Sequence, residues 1–188
     1  DSIWPYGRLH WQFIYRPEDQ DGEDKAFLGN KGNFNGEDMI EIRCEQPATA
    51  RFLSRHLYSF FVADEPPVPQ WPFKPPQNPG AIDFLCDVYF ESNYNIQSML
   101  RALFNADFFR SKDSRYAKVK SPAELVVGVL RLTKEFYRPR RHILERTMQI
   151  GFMGQELLNP PTVEGWHQGT EWIDTGTLVE RLNFATKH

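Results

Sequence analysis

Seven of the chain's fourteen prolines stand between residues 64 and 79, in Asp64-Glu65-Pro66-Pro67-Val68-Pro69-Gln70-Trp71-Pro72-Phe73-Lys74-Pro75-Pro76-Gln77-Asn78-Pro79. Proline has no amide hydrogen to donate, and its ring collides with the preceding helical turn. Such a stretch sustains neither a helix interior nor a central strand. It reads as a stiff, extended connector, and regular structure must form on either side of it.

On the C-terminal side of Pro47 the pattern is helical. Phe52, Leu53, His56, Leu57, Phe60 and Phe61 recur at three- and four-residue spacing, which predicts a helix over about 47–62 with His56 as a hydrogen-bonded core residue on its apolar face. Beyond the connector, Ile82, Leu85, Cys86 and Tyr89 predict a helix over about 80–91. Asn95 opens another over about 95–106. The clearest start is Ser121-Pro122-Ala123-Glu124, a cap hydroxyl, a proline at the first helical position and a Glu that completes a capping box, which predicts a helix over about 122–136. Arg138-Pro139-Arg140-Arg141 interrupts it. Helices over about 140–153 and 177–184 follow. Before residue 45 the chain reads as irregular, with one short strand at Leu9–Tyr15 and one hairpin or less. The expectation is a mainly α chain of about six helices in one domain spanning 1–188. Residues 1–45 are its irregular lead-in, 46–188 its helical core and 64–79 its Pro-rich segment.

Charge and composition exclude several functions. Lys and Arg total 22 against 25 Asp and Glu, a net charge of −3, without the basic excess that tracks a phosphate backbone, so nucleic acid is not an expected partner. The apolar runs fall far short of the roughly 20 residues that span a bilayer. Cys44 and Cys86, the only cysteines, lie in apolar contexts and read as free thiols. No Gly-x-Ser-x-Gly elbow, phosphate-cradling Gly-rich loop or helical zinc spacing occurs, and no cofactor is expected. The acidic run Glu18–Asp24 offers Asp19 and Asp21 as candidate Ca²⁺ ligands. It fails the EF-hand pattern, because the sixth residue from Asp19 is Asp24 rather than Gly and the twelfth is Asn30 rather than Glu. A solvated acidic turn is the default reading.

The segment Met153–Asp174 is least like ordinary core packing, since it combines Trp166 and Trp172 with Gly165 and Gly169, Pro160-Pro161 and four carboxylates. One reading makes it a site. A sugar stacks on Trp166 or Trp172 while Glu156, Glu164, Glu171 or Asp174 hydrogen-bonds its hydroxyls or supplies acid and base, with His167 beside them. The other reading is architectural: the tryptophans plug the loop onto the helices and Asp174 or Thr175 caps the last one. Under that reading Trp166 is mostly buried against the helices at 122–136 and 140–153, its N–H is taken by a loop carbonyl, and Trp166→Ala costs about 3–5 kcal/mol.

Four ordered motifs carry a resemblance. They are Lys25-Ala26-Phe27-Leu28-Gly29 with Phe34-Asn35-Gly36-Glu37-Asp38; Gln46-Pro47-Ala48-Thr49-Ala50-Arg51-Phe52; Val119-Lys120-Ser121-Pro122-Ala123-Glu124-Leu125-Val126-Val127-Gly128; and Met153-Gly154-Gln155 through Pro160-Pro161-Thr162-Val163-Glu164-Gly165-Trp166 and Trp172. Together they resemble the C-terminal part of the bacterial family known as domain of unknown function 1800. The resemblance implies a longer, exported or periplasmic protein, often encoded beside a sulfatase-like protein that becomes a candidate partner. Where that family has His-Asp ahead of the Lys-x-Phe-x-Gly stretch, this chain has Gln20-Asp21. No reaction comes with the name.

Two functions follow as expectations. The first is a non-catalytic helical module that binds a partner protein or a surface polysaccharide, with Trp71 and Phe73 of the connector and Trp166 and Trp172 of the loop as contact residues. The second is a carbohydrate- or ester-active hydrolase built on Glu156, Glu164, His167, Glu171 and Asp174.

Overall fold

The computed structural model of the chain describes residues 14–66, 74–136, 138 and 141–187. It divides into two units, Asp1–Gln46 and Pro47–His188.

In the first unit the turn and cap residues govern what forms. Strands β1 (Lys25–Phe27) and β2 (Asn30–Gly32) pair antiparallel, with Phe27 opposite Asn30. Leu28 (φ 48°) and Gly29 (φ 88°) make the two-residue turn between them, the left-handed pair that matches the twist of a hairpin. Helix α1 (Gly36–Cys44) starts where the Asn35 side chain accepts the Glu37 and Asp38 amides and the Asp38 carboxylate accepts the Asn35 amide. Helix α1 is an addition to the expected irregular lead-in with one hairpin. The cap signal was present, but Ile42 alone in α1 is buried and Ile40 points to solvent, so no apolar stripe announced the helix. The strand expected at Leu9–Tyr15 lies mostly outside the described residues, and Ile14 and Tyr15 belong to no strand.

In the second unit the six expected helices appear as α2 (Pro47–Phe61), α3 (Pro79–Glu91), α4 (Ile96–Asn105), α6 (Pro122–Leu132), α7 (Ile143–Phe152) and α8 (Thr175–Lys187), with one further turn of helix, α5 (Asp107–Arg110). Asn78 caps α3 and Asn95 caps α4, while Ser121 and Glu124 form the capping box of α6. Helix α6 stops four residues short of expectation, because Lys134 and Phe136 take left-handed backbone angles. Helix α8 starts early, because Asp174 accepts the Thr177 amide and Thr177 Oγ1 accepts the Asp174 amide in return.

Helices α2, α3 and α4 enclose a core that includes Ala50, Tyr58, Ile82, Leu85, Tyr89, Met99 and Leu103, with Phe61, Phe108 and Phe109 packed at its margin. Against expectation, α2 buries the line Ala50, Ser54, Tyr58 and exposes Phe52, His56 and Phe60. The reason is size: Ala50 and Ser54 let α3 approach closely enough for Ser54 Oγ to sit 3.5 Å from Cys86 Sγ. Cys44 and Cys86 are both free thiols, and burial raises the Cys86 pKa. A smaller core of Val126, Ile150, Met153 and Phe184 joins α6, α7 and α8. Among the described residues no helix is long and apolar enough to cross a membrane.

Candidate functional site

The Pro-rich connector is fastened at both shoulders by one side chain. Arg55, buried on α2, donates to the carbonyls of Pro66 (3.0 Å) and Lys74 (3.1 Å) and faces the Glu65 carboxylate at 3.4 Å. Glu65 in turn accepts the Gln77 amide at 2.9 Å. A buried ion pair loses hydration on both partners, and here the extra hydrogen bonds to backbone groups offset part of that loss. Beside it, Asp64 accepts the Val119 amide at 2.8 Å and lies 3.7 Å from Lys118 Nζ, which also donates to the Ser59 carbonyl. The segment before α6 is thereby tied to the end of α2.

The loop after α7 closes onto this corner. Gln155 accepts the Ala123 amide at the start of α6 (2.9 Å), and the indole N–H of Trp166 donates to the Glu156 carbonyl (3.2 Å). Gly169 holds φ at 57°, and a Cβ placed on it would lie 3.1 Å from Cβ and Cγ of Asp64, so backbone angle and space both favour glycine there. Trp172 is 5% exposed and meets the His167 ring edge-on at 5.9 Å. The outcome is a cavity of about 510 Å³ whose lining includes Arg55, Asp64 and Glu65 together with Glu164, Trp166 and His167. That volume falls in the range of small-ligand sites, roughly 300–1,000 Å³.

The expected site residues divide. Glu164, Trp166, His167 and Trp172 line the cavity, and the other three loop carboxylates do not. Glu156 accepts from the Asn159 side chain (2.9 Å), and Glu171 closes the turn at Gln168 while lying 3.4 Å from His167 Nδ1. Asp174 is the cap of α8, and the backbone N–H of Thr177 holds its carboxyl below the usual range. As expected, Trp166 is more covered than exposed and its N–H reaches a loop carbonyl, and Trp172 is the more deeply buried of the two tryptophans. Trp166 follows the tight Thr162–Gly165 turn, where its ring is held along the loop by its own N–H. The Trp172 carbonyl accepts the Thr177 hydroxyl in the first turn of α8.

His56 is corrected from core to surface: it is exposed, Nδ1 is 2.8 Å from the Phe52 carbonyl, and it lines the cavity. Trp71 and Phe73 lie outside the described residues. Asp19 pairs with Arg16, and Asp21 accepts the Glu23 amide and faces Lys25. Among the described residues no group of three or more His, Cys, Asp or Glu has metal-holding geometry. Sequence reading missed Arg55, Asp64, Glu65 and Lys118. The available signal was a charge amid the apolar face of α2, ten residues ahead of a Glu at the mouth of the connector.

A family model described as "Protein of unknown function (DUF1800)" matches residues 4–188. No curated protein and no solved structure matches.

Proposed function

The chain belongs to the DUF1800 family, and from that premise we propose that it is a non-catalytic helical module whose cavity receives a group presented by a partner protein or a surface polymer. The observation that carries this reading is the division of labour in the loop. Trp166, half-buried and oriented by its N–H bond to Glu156, offers ring surface to the cavity, whereas Glu156, Glu171 and Asp174 are engaged in holding the loop and α8 in place. An aromatic surface fixed by polar contacts on a rigid scaffold is a common element of recognition. Export to the periplasm or beyond, and a sulfatase-like partner, accompany this reading through the family resemblance.

The experiment is capture from a bacterial envelope fraction with the chain and with Trp166→Ala. A reproducible partner or polymer that the variant fails to retain is expected. No such partner, together with turnover on a panel of glycosides and esters, overturns the proposal. Those turnover assays also serve the second reading, a carbohydrate- or ester-active hydrolase, which draws on Glu164 and His167 lining one cavity with Glu171 3.4 Å from the imidazole.

A further inference from the structure

The charges around the cavity do not balance. Four carboxylates line it against two basic side chains, counting the histidines as neutral. Two of the four are matched: Glu65 faces Arg55 at 3.4 Å and Asp64 faces Lys118 at 3.7 Å. The other two, Glu124 and Glu164, have no cation within ion-pair distance among the described residues. Glu124 accepts the Ser121 amide, and the Glu164 carboxylate makes no hydrogen bond with any described residue. Beside these unmatched charges stand the half-buried ring of Trp166 and the ring of Phe60, which is 72% exposed although it also lines the cavity.

Carboxylates next to aromatic surface favour one kind of guest, a cation on an apolar stem: the charge is attracted by the carboxylates and by the ring faces, and the methylenes lie against the rings. An anion meets two uncompensated negative charges, and a neutral sugar leaves both of them unpaired. We infer that the cavity recognises a basic side chain of an exposed segment of a partner protein. This inference rests on the binding reading above and selects a protein partner over a polymer.

The test titrates the full chain with N-acetylated, C-amidated pentalysine and with the same peptide acetylated on every Nζ, read by tryptophan fluorescence and calorimetry. Saturable binding of pentalysine is expected. It should disappear on acetylation, weaken with added salt, fall about fivefold in Glu164→Gln and vanish in Glu164→Lys. Because the Glu164 carboxylate holds no structural bond, both variants should keep the parent's thermal midpoint, which separates lost recognition from lost folding. Binding that survives acetylation, or that both Glu164 variants leave unchanged, overturns the inference. Trp166-dependent binding of neutral chitin oligosaccharides without binding of pentalysine also overturns it, yet leaves the cavity as a binding site. Envelope capture that is indifferent to Trp166→Ala removes the parent reading instead.

Discussion

Helices α2–α5 and helices α6–α8 solve the same packing problem with different means. The first group buries whole large side chains, Tyr89, Met99 and Leu103 among them, in a core ringed by further aromatics. The second buries Val126, Ile150, Met153 and Phe184 and leaves Leu144, Met148 and Phe152, one stripe of α7, open to solvent. What α6–α8 lack in apolar burial they replace with polar ties: the Ser121/Glu124 capping box, Gln155 on the Ala123 amide, Arg146 on Glu135 at 2.9 Å, and Arg181 on the Lys120 carbonyl at 3.0 Å. Two other donor nitrogens of Arg181 are buried with no partner among the described residues, and desolvation lowers its pKa. Polar ties contribute less than buried apolar area, about 0.5–1.5 kcal/mol each against roughly 1.5–3 kcal/mol for a large side chain. The second group is therefore the softer one, and the cavity stands where its loop meets the end of α2.

The strongest way to break this comparison is to truncate the loop's buried ring. Trp172→Ala should cost about 3–5 kcal/mol in urea unfolding, as large-to-small aromatic changes in well-packed places do, with Trp166→Ala clearly milder. Equal costs would remove the distinction between deep plug and half-buried platform. Next comes one residue type placed in both groups. Leu85→Ala, in the first core, should cost about 2–5 kcal/mol, and Leu144→Ala, at a position 70% exposed, should stay within about 0.5 kcal/mol. Hydrogen exchange sharpens the same point, because amides of α6–α8 should open at lower free energy than those of α3 and α4.

Gly169→Ala tests the seam itself. It places a side chain at positive φ and against Asp64, so a loss of about 1–2 kcal/mol is expected. A neutral result would show that Asp64 yields freely and that the corner is not rigid. The smallest effect concerns acid. Because the folded-state pKa of Asp174 is lowered, its cap stabilises the protein above the ordinary Asp value of 3.8 and loses that contribution as pH falls through the folded value. Thermal midpoints measured down the acid limb should decline less steeply in Asp174→Asn, which keeps an acceptor for the Thr177 amide. Parallel curves would refute the assignment.

Much of the helical architecture was legible because its signals are local. Ser121 to Glu124 and Asn95 state where α6 and α4 begin, through side chains that reach backbone amides three residues away. Helix α1 escaped although its Asn35/Asp38 cap is of the same kind, since an amphipathic stripe was demanded as well and α1 has none. Of the candidate site, the loop was found from its density of unusual side chains. Which of its residues face a cavity was not legible there, since the partial cover of Trp166 and the deep burial of Trp172 depend on what each meets across space.

By itself, the sequence determined that six amphipathic stretches and a proline-filled connector make a mainly helical chain, because periodicity, caps and missing amide donors act within a few residues. Only the tertiary structure decided the rest. The close approach of α3 to Ala50 and Ser54 turned His56 and Phe60 outward. Arg55 gathered carbonyls from both shoulders of the connector onto one guanidinium. The spent and unspent carboxylates of the cavity were sorted by partners as far as 55 positions away in the chain. Burial and charge pairing are properties of neighbours in space, and for these residues the neighbours are set by how the helices pack.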